Sequence, residues 1–202
     1  MIVNLYIMDI RHKSVDGLIP YLTNEDNFKI QKCKVNDVKR EKIASAYLKN
    51  KYIGEYYLGD YNKPLSDDIF FNISHSNGVI ILGTNLEKNI GVDVEFIENS
   101  SSEMRRYISS DEEFEYITND IKFTEVWTNK ESLVKAIGAG INTNFPEIVS
   151  LPINGTKTYL GKNYTTKNFR YDDFIISITL EGDEDFDVNL IMEDVLWWEI
   201  FH

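Results

Sequence analysis

The chain of 202 residues has a single cysteine, Cys33. No internal disulfide can form, which excludes the small disulfide-built scaffolds and points to a reducing compartment. Proline and glycine are sparse, at 4 and 11 residues, and no Pro/Gly/Ser-rich tract marks a low-complexity segment. Long apolar runs are missing too: nothing approaches the roughly 18 to 20 residues that cross a bilayer. The opening run Met1–Met8 is apolar, but Asp9 ends it, and it has neither a basic leader nor a small-residue cleavage site. It is expected to be a first strand rather than a signal peptide. Positive charge is also short, with 21 Lys+Arg against 33 Asp+Glu and a net charge of −12. That deficit excludes a broad nucleic-acid-binding surface, which needs lysine and arginine to displace phosphate counterions. The expectation is a cytoplasmic, monomeric protein that engages neither nucleic acid nor membrane.

What is present is an ordinary folded composition, 43% hydrophobic, 13% aromatic and 27% charged, long enough for one large domain or two small ones. The charge is uneven. Residues 1–88 carry 12 Lys+Arg against 11 Asp+Glu, a net +1, whereas residues 89–202 carry 9 against 22, a net −13. The polar loop Asn85–Asn89 between them marks a boundary, so the expected units are an N-terminal lobe, 1–88, and a C-terminal lobe, 89–202. Residues 2–8 read as a strand and Thr23–Cys33 as a helix. With Asn36 as N-cap, Asp37–Leu58 reads as a long helix, apolar at helical spacing and stopped by Gly59. Ile69–Ile73 and Val79–Gly83 flank Asn77-Gly78 as a hairpin, and Ile90–Phe96 follows as a strand. Ser110–Glu113 resembles a capping box, and Asp120 can cap a helix running to Ile137 before Gly138 and Gly140. Thr156–Leu160, Phe174–Leu180 and Val188–Met192 suggest an antiparallel sheet. The order strand, helices, strands occurs twice, which predicts an α+β protein.

Three clusters could carry chemistry. In Gly91-Val92-Asp93-Val94-Glu95, Asp93 and Glu95 share one strand face roughly 6.6 Å apart, while Val92 and Val94 face the core. Two alternating acids are ordinarily a solvated face; the sharper reading is a hard-cation site, since magnesium takes one or two carboxylates together with phosphate oxygens. In Trp127-Thr128-Asn129-Lys130-Glu131-Ser132-Leu133-Val134-Lys135, Trp127, Glu131 and Lys135 share a helix face at i, i+4 and i+8. Alone, that pattern is a surface ion pair beside a packed tryptophan. In Asn72-Ile73-Ser74-His75-Ser76, a strand delivers a histidine into a donor-lined turn. Lys63-Pro64 and the basic residues Lys29, Lys32, Lys34, Lys39, Arg40 and Lys42 could add phosphate contacts.

In this order, the three clusters closely resemble the motif series of the two-lobed, surfactin-type 4'-phosphopantetheinyl transferases, over roughly Lys29 to Ile141. The resemblance implies two similar α/β lobes related by pseudo-two-fold symmetry, with coenzyme A as donor in the cleft between them and magnesium on its pyrophosphate. Carried over, Asp93, Glu95 and Glu131 are the expected magnesium ligands. Ser74 and His75 meet a coenzyme A phosphate, Lys63 and Pro64 line the adenine side, and Arg40 with Lys29 binds the 3'-phosphate. The implied reaction moves the phosphopantetheine arm to a serine of an acyl or peptidyl carrier protein, with Glu131 as base and Lys135 as acid on the leaving 3',5'-ADP. Two departures stand out: Asn62 precedes Lys63-Pro64 where the family usually has glycine, and Glu41 follows Arg40 where it has a small or hydroxyl residue. Competing readings are a magnesium-dependent nucleotide pyrophosphohydrolase using the same acids, and a catalytically silent module that binds coenzyme A or a carrier protein. The four residues Asp93, Glu95, Glu131 and Lys135 count against the silent module.

Overall fold

A computed structural model describes residues 1–59, 63–138 and 144–194; the sequence expectations at Asn62 and Gly140 lie outside them. The chain is a mixed α/β protein built on two four-stranded sheets. The first contains β1 (Ile2–Asp9), β4 (Phe70–Ser76), β5 (Val79–Asn85) and β10 (Asp187–Glu193) in the order β10-β1-β5-β4. The second runs β6-β9-β8-β7, from β6 (Ile90–Phe96), β7 (Gly155–Tyr159), β8 (Lys162–Tyr171) and β9 (Phe174–Glu181). A two-stranded ribbon, β2 (Tyr57–Leu58) and β3 (Pro64–Leu65), stands apart. In each sheet, a first strand is followed by helices and then by a hairpin whose second strand returns antiparallel to it: β5 to β1, and β9 to β6. Among the described residues no helix is long and apolar enough to cross a membrane.

The two sheets share a core. Val3, Leu5, Ile7, Val79 and Ile81 of the first sheet cluster with Val92, Val94, Ile176 and Ile178 of the second. The alternate residues of β5, Ile80 and Leu82, face instead the helix α2 (Asn36–Tyr52), where they meet Ile43, Tyr47 and Leu48. Burial on both faces is why β5 is apolar almost throughout instead of alternating. Two type-I′-like residues, Asn77 (φ 44°) and Gly78 (φ 79°), close the β4–β5 hairpin as the sequence predicts.

Several boundaries differ from the sequence reading, each for a local reason. The helix α1 (Asn24–Gln31) begins on a capping box between Thr23 and Asp26. α2 ends at Tyr52, well short of Leu58, because Gly54 at φ 76° already turns the chain there. Its N-cap is Val35, without a side-chain bond, and Asn36 is its first helical residue. A helix α3 (Ser102–Ile108), capped by Ser101, precedes α4 (Asp111–Tyr116), whose Ser110–Glu113 capping box forms as expected. α5 (Asp120–Ile137) is capped by Asn119, not Asp120; the Asp120 carboxylate accepts bonds from Ser100 and Arg105 instead. The last strand leaves the sheet expected for it, because β10 pairs parallel with β1. The first sheet therefore draws on both ends of the described chain.

Candidate active site

The site forms where β4, β6 and α5 meet. Residues 72, 74 and 76 of β4 point the same way, and each reaches β6. The Val92 N–H donates to Asn72 Oδ1 at 2.9 Å, Ser74 Oγ to Asp93 Oδ1 at 2.9 Å, and Ser76 Oγ to Glu95 Oε2 at 2.9 Å. The serines of the histidine cluster thus stitch the two sheets together and hold both acids of β6. α5 closes the third side, and Gly91 lets it approach. A Cβ there would lie 2.0 Å from the Ser132 carbonyl oxygen and 2.4 Å from the Ala136 nitrogen, so any side chain would push the helix away.

Lys135 reaches from α5 to the strand, with Nζ 2.5 Å from Asp93 Oδ1 and 3.0 Å from Ser74 Oγ. Asp93 is 2% exposed, and its second oxygen, Oδ2, has no hydrogen-bond partner among the described residues. Trp127 Nε1 donates to Glu95 Oε1 at 3.3 Å. Burial raises the Asp93 pKa against the pull of Lys135. Burial, and then the Asp93 charge, push Glu95 up to about 7 and raise Glu131 as well. Three carboxylates thus disfavour one another's charge in one place, the condition that a divalent cation relieves.

Around them runs a cleft of about 580 Å³, lined by Lys29, Ser74, His75, Asp93, Glu95, Trp127, Glu131 and Lys135 together with residues of α1 and α2. The structure therefore brings together seven of the ten residues that the sequence singles out. The other three lie elsewhere. Arg40 donates to the carbonyls of Ile10 (2.6 Å) and Lys13 (2.7 Å) and does not line the cleft. Lys63 sets its ammonium on the Lys135 carbonyl at 2.8 Å, at the C-terminal end of α5, where burial lowers its pKa. Pro64 pairs with Leu58 in the small ribbon. Two wall features escaped the sequence reading. Ser45 and Lys49 of α2 line the cleft beside Lys42, which the sequence did single out; their i, i+3, i+7 spacing from Lys42 on the helix is the signal that could have exposed them. His75 is paired through Nδ1 with Glu41 Oε2 at 3.1 Å.

The donor set fits magnesium: three carboxylates face one cleft, and a buried carboxylate oxygen stands without a partner. Among the described residues no three such side chains are gathered into a metal-holding group, and the Lys135 ammonium takes up Asp93 Oδ1.

A second cavity of about 470 Å³ lies on the far side of Glu95 and Trp127, lined largely by Phe96, Met104, Tyr107, Ile108 and Phe123. Glu95 and Trp127 are the partition between the two.

Comparison with known proteins places this geometry. Residues 89–180, which carry β6, α5, β8 and β9, match the family model of the 4'-phosphopantetheinyl transferase superfamily. The chain is also similar to the 4'-phosphopantetheinyl transferase gsp of Aneurinibacillus migulanus, at 31% identity over 113 residues. That match covers 52% of this chain and 43% of the relative, so the chain spans less than half the length of the relative it matches. Residues 89–180, the part that carries both acids of β6 and the whole of α5, are thus similar to the 4'-phosphopantetheinyl transferase superfamily.

Proposed function

We propose that the chain transfers the 4'-phosphopantetheine arm of coenzyme A to a serine of an apo acyl or peptidyl carrier protein and releases 3',5'-ADP. The observation that carries this reading is the division of charge in the cleft. Asp93, Glu95 and Glu131 face it from β6 and α5 together with Lys135, and Lys29, Lys42 and Lys49 from α1 and α2 together with Asp26, whose carboxylate is taken up by Thr23 and Asn50. A donor with a pyrophosphate and a further phosphate meets cations on the second wall, and acids on the first that it can approach only across a divalent ion. Asp93, Glu95 and Glu131 would hold magnesium, which supplies positive charge on the pyrophosphate.

In the transfer, the serine Oγ–P bond forms and the bridging P–O bond breaks. Glu131, whose pKa burial raises, takes the hydroxyl proton, as a base with a pKa closer to neutral does more effectively. Lys135, already poised at Asp93, brings its ammonium to the leaving phosphate. Ser74 and His75 contact donor phosphate from the β4 wall. The recurring order of strand, helices and hairpin supports two related lobes, 1–88 and 89–202, with the cleft at their junction, although β10 of the second crosses back to pair with β1 of the first.

The test is direct. The protein is mixed with coenzyme A, magnesium and apo-carrier protein, and the carrier is weighed intact; addition of one phosphopantetheine is the expected result. Coenzyme A cleaved without any acceptor would point to a pyrophosphohydrolase, and binding without turnover to a silent module. Asp93→Ala is expected to abolish transfer at any magnesium concentration, because it removes a ligand outright.

A further inference from the structure

A buried cluster of charge lies outside the cleft, on the other side of α5. Lys130, 0% exposed, directs its ammonium at Glu113 Oε2 (2.6 Å), the Phe145 carbonyl (2.7 Å) and the Ile148 carbonyl (2.8 Å). Three donors meet three acceptors, so the group is saturated. Glu113 accepts in addition from the Ser110 N–H at 2.9 Å, and from the Ser150 N–H at 2.9 Å and hydroxyl at 2.6 Å. A buried pair of this kind adds little net stability over apolar residues of the same volume, because desolvation offsets the attraction. What it supplies is a fixed place for the segment around Phe145.

The Phe145 ring then stacks on Trp127, with centroids 5.0 Å apart and planes 7° from parallel. Trp127 and Lys130 lie three residues apart on α5, so one helix holds Phe145 twice, by its carbonyl and by its ring. Trp127 needs such a partner. It borders both cavities, the 580 Å³ cleft and the 470 Å³ hollow behind it, and it has open space on two sides. Its indole N–H donates to Glu95 Oε1 at 3.3 Å.

We propose that Phe145 is a positioning residue for the cleft: seated by the Glu113–Lys130 pair, its ring fixes the Trp127 indole, which aims the Glu95 carboxylate. Glu95 touches the ligand; Phe145 acts through Trp127 and touches nothing in the cleft. This rests on the proposed role of Glu95 in holding magnesium.

The experiment compares Phe145→Leu, which removes the flat ring, with Phe145→Tyr, which keeps it. Three readouts are taken: the Trp127 indole N–H resonance, assigned by its loss in Trp127→Phe; magnesium affinity; and the transfer kinetics. Phe145→Leu is expected to move the indole resonance and to weaken magnesium binding or kcat by about 10–100-fold, the usual effect of losing a group that orients a ligand, while KM for coenzyme A stays within about 2-fold. Phe145→Tyr is expected to behave as wild type. The proposal is overturned if Phe145→Leu leaves the resonance and the affinity unchanged, or if Phe145→Tyr loses as much as Phe145→Leu. Should Phe145→Leu fail to fold, Phe145→Met replaces it in the same comparison. If wild type neither binds magnesium nor transfers, the proposed reaction fails, and the indole resonance still decides whether Phe145 fixes Trp127.

Discussion

Lys135 is ion-paired with Asp93 at 2.5 Å across the junction of α5 and β6, although helical spacing would pair it with Glu131, one turn away on its own helix. The helix therefore presents its ammonium to the strand's carboxylate, and Glu131 is left facing the cleft. An ammonium in that position can compensate the acids before a ligand arrives and turn to a donor phosphate afterwards.

Lys135→Met keeps the aliphatic stem and removes the charge. Asp93 then retains Ser74 as its side-chain donor, and a buried group left short of a partner costs about 1–3 kcal/mol. Transfer is expected to fall by about two orders of magnitude or more, in line with loss of a general acid. Thermal melts beside single-turnover rates separate the two effects. A folded variant with a near-normal rate would leave Lys135 as no more than the counter-ion of Asp93.

His75 and Glu41 give a second test. His75 lines the cleft while its Nδ1 is 3.1 Å from Glu41 Oε2, so a donor phosphate at this wall meets a histidine already engaged by a carboxylate. His75→Ala is expected to raise KM for coenzyme A more than it lowers kcat, because a phosphate contact made equally in ground and transition states is uniform binding. Glu41→Gln is expected to lower that KM by up to about 5-fold, because it removes a negative charge beside the donor phosphate, an effect of the ~0.2–1 kcal/mol order typical of single charges near a surface. A collapsed kcat with unchanged KM in His75→Ala would move the histidine into the chemistry.

What the sequence made legible was whatever has a local cause. β6 lies at Ile90–Phe96, as its apolar alternation and flanking loop predict, and Asn77-Gly78 turns the hairpin because positive φ at both positions needs those residues. β8 was missed because the face it turns to α5 is polar: Thr166 is buried with its hydroxyl 2.9 Å from Thr179 Oγ1, and Asn168 Nδ2 donates to Thr128 Oγ1 at 3.3 Å. A hydroxyl-lined strand under a helix gives no apolar period to read. The antiparallel assignment of 188–192 failed because strand partners are a long-range choice, and β10 finds β1 at the opposite end of the chain. At the site, the residues on β4, β6 and α5 were legible because a short motif fixes their spacing. The destination of Arg40 was not, since the Ile10 and Lys13 carbonyls that hold it belong to another part of the fold.

Stability should depend on pH through Lys157, which is 5% exposed and donates to Asn129 Oδ1 and the Ser150 carbonyl, both at 2.8 Å. Burial pushes its pKa down to about 7, with the nearby Lys130 lowering it further against Glu113. Below about pH 7 the amine is protonated in the folded and unfolded chains alike. Between there and the ordinary lysine value of 10.5, only the unfolded chain holds the proton. Stability contributed by this group therefore rises with pH across that window, by at most about 1.4 kcal/mol per pH unit. Urea unfolding at steps from pH 7 to 10 is expected to show the rise, and Lys157→Met to remove it. A wild-type profile that is flat or falling through that window, matched by the variant, would return Lys157 to an ordinary buried cation.

Gly91 tests whether the seat of α5 on β6 sets the site. An added Cβ meets the Ser132 oxygen at 2.0 Å and the Ala136 nitrogen at 2.4 Å. Both are backbone atoms, so no side chain can turn aside and the helix itself must shift. Gly91→Ala is expected to lose about 1–3 kcal/mol, as overpacking does, which lowers Tm by roughly 2–12 °C in a chain of this size. The shift also parts Asp93 and Glu95 on the strand from Glu131 and Lys135 on the helix, and a misplacement of about 1 Å can cost 10²-fold in rate. Gly83→Ala is the control. Its Cβ would meet the Val92 and Ile90 side chains, at 2.4 and 3.0 Å, inside the core shared by the two sheets, so it strains packing without moving α5. Measured well below both melting temperatures, Gly91→Ala should transfer far more slowly than Gly83→Ala although both are folded. Equal rates in the two variants would show that the acids and the ammonium find their places without the close contact of helix and strand.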